Sequence, residues 1–470
     1  MATHQPTPTI LLPNLPPKTL VGIDLITFTS TPNFHGIRDL SPGWHFLYTG
    51  ATETLSLRSG AWFYIGDIST AGKGSNDTAL VEQGRNKNKP QNTPGPEIYI
   101  WKWSADTESL VALGSESDSA RQENMRYKAN MGSVWQSGGL FKYRSRIAPS
   151  MLVKPATESE NGEKDKEDQD QPEPQIEARI QTEDDAQTED SGRRDWSRLT
   201  DRISPNLLSR VIGNPEVDID GHPRWVLSSA STAIRDADHI PGVDSPAEGS
   251  HEPEISEEAE REFGFIPIDL KRTWREGAVG RERTEAAQDR SWALGDLIDR
   301  YAGEASGGNQ LLGELQFTFL MVLTMMNYSC LQQWKRLLEL ILTSRGAIVD
   351  REDFMSEVLQ ILSVQLQRCD DVDGGLFEID GDEGGAFLRD LLMKLRQSVD
   401  DITGDTESKV KLELDKLEEW VKEEYDWELR RGAVVRHGML QLEDGEQVEM
   451  DWHGNDEEDE TGEYAPVIVE

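Results

Sequence analysis

Two cysteines in 470 residues, Cys330 and Cys369, leave no room for a disulfide framework. The opening "MATHQPTPTI" also lacks the basic-then-apolar layout of a secretory signal, so a reducing compartment, cytosol or nucleus, is the expectation. Long apolar runs are missing as well. The most apolar stretch, "FTFLMVLTMM", is shorter than the roughly 18 residues a membrane-spanning helix needs. Basic residues are scarce: 48 Lys and Arg stand against 87 Asp and Glu, a net charge of −39. A chain so charged repels phosphate, which argues against direct binding of nucleic acid or of an anionic membrane.

Chemical motifs are equally thin. The eight histidines fall into no H-E-x-x-H or paired ligand spacing, so the sequence supports no metal site. "GDISTAGKG" fails as a phosphate loop: five residues separate Gly66 from Gly72, and Gly74 follows Lys73 where a hydroxyl would be needed to hold magnesium. In "CDDVDGGLFEID" the residues Asp371, Asp373, Gly374 and Asp380 take calcium-loop positions, but the first position is the thiol of Cys369 and the last is an Asp too short to chelate as Glu does. No G-x-S-x-G nucleophile elbow occurs. The expectation is a protein that is not an enzyme and takes no cofactor. A hydrolase using His35 and His45, which flank a turn, is a remote rival, since isolated histidines are usually packing or hydrogen-bonding residues.

What is present divides the chain. Residues 1–150 carry short runs rich in aromatic and β-branched residues, "TILL", "LVGIDLITF", "GWHFLYT", "GAWFYIGDI" and "PEIYIWKW", punctuated by Gly and Pro. They predict antiparallel strands in a sandwich or barrel. Residues 151–192 form an acidic insert, with no aromatic residue between Glu158 and Asp190, and cannot bury enough apolar surface to fold. Residues 193–232 read as short helices through Trp196, Leu199, Ile203, Leu207 and Leu208, interrupted at Pro205, and 233–262 read as a second acidic linker. Residues 263–432 are helical. Their strongest periodicity, Leu315, Phe319, Val322, Met326, Cys330, Leu337 and Ile341, predicts one long helix or a hairpin broken near Asn327. Met321, Met325 and Met326 are expected in its core. Further helices are expected at Phe354 to Leu366, Phe387 to Leu395 and Val410 to Tyr425. Residues 433–463 read as an acidic flexible tail, and 464–470 as a terminal strand-forming motif. The fold class is α+β in two domains.

Three blocks resemble the Aar2 family, the A-cistron splicing factors. They are "VGIDLITFTSTPNFHGIRDLSPGWHFLY", "GELQFTFLMVLTMMNYSCLQQWKRLLELILTSRGAI" and the ending "APVIVE", in family order. Gly22, Asp24, Phe34, Gly36, Pro42, Gly43, His45 and Phe46 match the first motif, and Gly313, Glu314, Leu315, Gln316, Phe317, Trp334, Lys335, Arg336 and Leu337 the second. Turn-forming and apolar types dominate both, which is what architecture requires. The resemblance implies an N-terminal β-sandwich-like domain, a C-terminal VHS-like helical domain and no catalysis. It also implies assembly-chaperone work in U5 snRNP maturation, cytoplasmic with nuclear shuttling. The implied partner is the large U5 scaffold protein, bound through its RNase H-like and JAB/MPN-like domains so that the spliceosomal RNA helicase is held off. The free protein is expected to be a monomer. The acidic insert, the second linker and the acidic approach to the tail depart from the simplest family members.

Of the three blocks only the last, Ala465, Pro466, Val467, Ile468 and Val469, resembles a family element that itself binds, by adding a strand between the scaffold domains. Pro466 can begin a strand because it has no N–H to contribute, and Val467 and Val469 share one face. Burying three such side chains yields ~1.5–3 kcal/mol each, and ordering a free terminus costs ~1–2 kcal/mol per residue. The two nearly cancel, so the motif needs a docked domain to deliver it. Ser191, Ser245 and Ser256 lie beside carboxylates and are candidate phosphorylation sites whose added charge would favour release. The net charge supports one alternative, an acidic chaperone for basic proteins such as histones.

Overall fold

The computed structural model describes residues 7–51, 57–68, 97–114, 117–146, 183–233, 262–301, 307–369, 384–404, 406–430, 438–441 and 447–450. The first region holds β1 (Thr9–Leu11), β2 (Leu20–Ile23), β3 (Ile26–Thr29), β4 (Gly36–Arg38), β5 (Gly43–Gly50), β6 (Arg58–Ile65), β7 (Ile98–Ser104), β8 (Ser109–Ala112), α1 (Asp118–Gln136) and β9 (Leu140–Lys142). Then come α2 (Glu183–Thr200), α3 (Pro205–Val211), β10 (Glu216–Val217) and β11 (Pro223–Ser228). The helical region holds α4 (Arg281–Gln288), α5 (Ser291–Arg300), α6 (Gly307–Met325), α7 (Tyr328–Leu342), α8 (Ala347–Asp350), α9 (Glu352–Leu366), α10 (Gly384–Thr403) and α11 (Lys409–Tyr425).

The two faces of β5 explain the layers. Side chains alternate along a strand, so His45 and Leu47 point one way and Trp44, Phe46 and Tyr48 the other, and all five are buried. Strand β5 pairs with β6 over its full length, Gly43 opposite Ile65 to Gly50 opposite Arg58, inside a six-stranded sheet of order β10-β11-β6-β5-β2-β3. On one face Leu47 joins Val21, Ile23, Ala61, Phe63 and Ile65 against Ile10, Ile37, Tyr99 and Trp101 of a five-stranded sheet, β8-β7-β1-β4-β9. On the other face Trp44, Phe46, Tyr48, Trp62 and Trp225 pack on α2, α3 and α6. Helix α1 covers the outside of the five-stranded sheet through Tyr127, Met131, Val134 and Trp135. Four layers result, helix, sheet, sheet, helices, and the core of the helical region is continuous with one face of the six-stranded sheet.

Antiparallel pairing runs throughout the six-stranded sheet, but the five-stranded one corrects the sequence expectation. There β1 lies parallel to β7, and β4 parallel to β9. Parallel neighbours need a long crossover, and the chain between β4 and β9 supplies one by running through four strands and α1. Only a partial sign of that helix stands in the sequence: Tyr127, Met131, Val134 and Trp135 fall at helical spacing in its second half, while its first half is almost wholly polar and its one fully buried residue is Asn124.

The boundary at 192 is also corrected. Helix α2 begins at Glu183, inside the insert expected to stay unfolded. Both carboxylate oxygens of Glu189 accept the Ser145 N–H at 3.1 Å, and the Ser145 hydroxyl donates to the Glu189 carbonyl at 2.8 Å. Gly192 permits the approach, since a Cβ there would sit 2.7 Å from Ser145 Oγ. Composition averaged over the insert hides this anchored end. In 193–232, expected as helices, α2 and α3 are joined by β10 and β11, and β11 extends the six-stranded sheet beside β6. In the expected flexible tail a backbone hairpin forms from β12 (Gly438–Gln441) and β13 (Gln447–Met450), with Gly438 opposite Met450.

The long apolar segment resolves into a hairpin. Helix α6 is buried nearly all round, with Met321 and Met325 in the core. Met326 is not core: it takes the left-handed conformation at φ 54° and is 38% exposed, because the chain must turn there. Asn327 then caps α7, accepting the Cys330 N–H at 2.9 Å, and donates to the carbonyls of Ser229 and Ser231 at 3.1 and 2.8 Å. The helix break is thus bonded to the loop after β11. Gly313 lets α6 pass close to the first region, since a Cβ there would lie 2.6 Å from the Arg202 carbonyl oxygen. Among the described residues no helix is long and apolar enough to cross a membrane.

Candidate partner-binding groove

Two polar constellations resemble reaction centres, and both are structural. In the first, the β2–β3 turn holds Asp24 at φ 57° and sends its carboxylate inward. Asp24 accepts from His45 Nδ1 at 2.8 Å, from the Tyr143 hydroxyl at 2.5 Å and from the Phe46 N–H at 2.9 Å. His45 Nε2 faces the Ser41 carbonyl at 2.7 Å. With an acceptor on each ring nitrogen, the ring is held as imidazolium. Burial opposes that charge, yet Asp24 and the Ser41 carbonyl carry the His45 pKa above its ordinary value. Burial, then Asp24, hold the Tyr143 phenol far above its usual range. His45 is fully buried and its Nε2 proton points at a carbonyl, so no substrate atom can use it. His35 is exposed and bonds to the Phe34 carbonyl; the two histidines proposed for a hydrolase do not meet.

In the second, Asp218 caps the β10–β11 turn by accepting the N–H groups of Asp220 and His222 at 2.9 and 2.8 Å and His222 Nδ1 at 3.0 Å. Lys128 Nζ sits 2.8 Å from both oxygens of Asp220. Asp218, Asp220 and His222 lie close enough to share a metal ion, but the ammonium of Lys128 already neutralises Asp220 and the His222 nitrogen is turned to Asp218. Its bond to Asp218 raises the His222 pKa despite burial; burial works against the reciprocal lowering of Asp218. The cluster ties α1 to the edge of the six-stranded sheet.

The second sequence motif is a seam between the two regions. Glu314 is fully buried; it accepts from Arg210 Nη1 at 2.6 Å, from the Ile266 N–H at 3.0 Å and from Gln333 Nε2 at 2.7 Å. Gln316 donates to the Arg198 carbonyl and accepts the Arg202 N–H. Phe317 packs against Trp62 and Phe263, and Trp334 Nε1 donates to Gln365. Two indoles tie β5 to α2 and to the loop that follows it: Trp196 donates to the Trp44 carbonyl at 2.7 Å, and Trp44 to the Ile203 carbonyl at 2.8 Å.

A groove remains that the architecture does not explain. Strand β3 ends the six-stranded sheet and β9 ends the five-stranded one, and between these edges lies a groove of about 490 Å³. Its floor is Ile23, Ile26, Phe28, Ile37 and Phe141, and its rim carries Lys142, Arg144 and Arg146. The rings of Phe28, Phe34 and Phe141 pack on one another with centroids 4.9–5.9 Å apart, yet Phe141 stays 37% exposed. The alternation in "LFKYRSR" was a legible signal for this place, because alternate residues of an extended segment share a side. Of the tail and linker candidates, Ala465, Pro466, Val467, Ile468, Val469, Ser245 and Ser256 lie outside the described residues, as do Asp371, Asp373, Gly374 and Asp380. Ser191 is not a linker residue; it is half-buried in α2 beside Gly192.

Comparison with known proteins matches residues 6–213 to the AAR2 N-terminal domain and residues 265–430 to the AAR2 C-terminal repeat region. The chain belongs to the AAR2 family. Among similar AAR2 relatives, the human Protein AAR2 homolog is 28% identical over 367 residues, 76% of this chain and 75% of the relative. The Pongo abelii protein of the same name is 26% identical over the same span, and that of Mus musculus 23% over 370 residues. AAR2 membership supports a splicing-related function and indicates no catalytic family. Both AAR2 regions contribute to the seam around Glu314, so the family boundary at 213 falls on a shared core rather than between independent units.

Proposed function

We infer that this AAR2 family member is a non-enzymatic assembly chaperone in U5 snRNP maturation and pre-mRNA splicing. It binds the large U5 scaffold protein through the RNase H-like and JAB/MPN-like domains of that protein and keeps the spliceosomal RNA helicase from binding early. It works as a monomer in the cytoplasm with nuclear shuttling, and needs no cofactor. The observation that carries this reading is the match of both AAR2 regions in order along one chain. The terminal "APVIVE" supports it, as a strand-forming ending on an acidic approach.

The test is binding of the full chain to a recombinant scaffold fragment containing both domains. Deletion of Ala465 to Glu470 should weaken binding at least tenfold while the shortened chain still folds, as far-ultraviolet circular dichroism would show, because a tethered strand adds effective concentration and is not part of the core. Unchanged affinity removes the terminus from the mechanism. Glu at Ser245 and Ser256 should weaken the complex by added repulsion. Retention of histones instead of the scaffold, abolished by neutralising the acidic tracts, would favour the acidic-chaperone reading that the charge of −39 suggests.

A further inference from the structure

We propose that in the free protein the groove between β3 and β9 is occupied by the last residues of its own chain, Glu463 to Glu470, lying as an added strand. Three observations select this occupant. The first is backbone chemistry. Among the described residues β3 pairs only with β2, and β9 only with β4. Neither therefore has a described strand on its outer side, and natural sheets cover or block such edges. A segment entering here finds a ladder on either side and an apolar floor below.

The second observation is charge. Lys142, Arg144 and Arg146 form a basic rim on a chain of net charge −39, and none of the three makes an ion pair with a described residue. The segment from Asp456 to Glu470 has carboxylates at 456–460, 463 and 470 and no Lys or Arg. It is the complement of the rim, and it leads through Glu463 into the continuous apolar run Tyr464 to Val469. With Val467 and Val469 turned to the Phe28 and Phe141 floor, Pro466 and Ile468 face outward and Glu463 and Glu470 flank the groove. Pro466 starts the strand without breaking a ladder bond.

The third observation is reach. The last described helix, α11, is followed by described residues to Arg430. The β12–β13 hairpin folds the chain back between Gly438 and Met450, so from Arg430 to Glu463 about 21 residues are free to extend and span about 70 Å at about 3.3 Å per residue, still more than the roughly 60 Å diameter of a globule of this length. Tethering gives the segment a high effective concentration at the groove, so a weak contact suffices. The consequence is a strand kept at home until a partner offers a better edge. This holds whether or not the partner is the U5 scaffold.

The experiment uses the full chain without any partner. A benzoylphenylalanine photocrosslinker replaces Phe141 or, in a second variant, the exposed Thr27 on the β3 side. Irradiation at low micromolar concentration should join each position to a peptide within 456–470 in a species of monomer mass. Crosslinks to other segments, a dimer band that grows with concentration, or none at either position would overturn the proposal. A labelled peptide of residues 456–470 should bind the full chain lacking 464–470 and bind the intact chain at least fivefold more weakly. Arg144→Glu with Arg146→Glu should weaken the peptide at least tenfold, and salt raised from 50 to 500 mM should weaken it severalfold. Equal binding to the intact and shortened chains would overturn it as well.

Discussion

His45 shows how a buried charge makes stability depend on pH. Its folded pKa is raised above the ordinary 6.5, so its contribution is fully present below 6.5 and is lost as pH rises through the raised value. His222, raised through Asp218, has the same sign. The His45 share is isolated by comparison with His45→Gln: in urea titrations the advantage of the parent protein should shrink as pH rises from about 6 to about 9. A constant difference would mean that the ring is not charged in the fold. Gly313 offers a steric test at the same scale. Gly313→Ala places a methyl 2.6 Å from the Arg202 carbonyl oxygen, a backbone atom that cannot rotate away, so it should cost ~1–3 kcal/mol of unfolding free energy.

At the scale of elements, the α6–α7 break is the informative one. Asn327→Ala removes the α7 cap and leaves the Ser229 and Ser231 carbonyls without their donor, so it should destabilise by ~2–4 kcal/mol in urea unfolding. Asn327→Asp keeps the cap but turns a carboxylate on both carbonyls, and should be no better. The hairpin was half legible in the sequence. Periodicity placed apolar residues on both sides of Asn327, but whether the helix continued depended on what Asn327 could bond, and Ser229 and Ser231 are nearly a hundred residues away. The same limit explains the other differences. The paired strands around Trp44 and Trp62 were readable because alternation is local. Helix α1 carries its apolar stripe, Tyr127 to Trp135, in its second half alone, too short a run to stand out, and the start of α2 depends on Ser145, far outside its own window. The Asp24–His45–Tyr143 cluster joins three distant positions, so of its members only His45 drew notice as chemistry and Tyr143 had no local signal.

For the whole molecule, the seam decides how the two AAR2 regions behave. Glu314, Gln316 and Asn327 of the helical region are bonded to residues of the first region, and Arg368 pairs with Asp195 of α2. Two regions that share a core should unfold together. Calorimetry should therefore give one transition, with van't Hoff and calorimetric enthalpies in agreement, and residues 6–213 expressed alone should expose the tryptophan face of β5 and β6 and aggregate. Two separable transitions would show that the seam is weaker than its burial suggests.

The tryptophan cluster also has an optical consequence. Trp62 and Trp196 stack with centroids 6.0 Å apart and 12° between their planes, and Trp44 meets Trp62 and Trp225 edge-on at 6.4 and 5.6 Å. Indoles so close exchange excitation, so the seam carries its own chromophore: a coupled band in circular dichroism and a blue-shifted emission. Any event that pries α2 from the six-stranded sheet, whether a partner, a phosphate at Ser191 or a mutation, would be visible in the ultraviolet without a label.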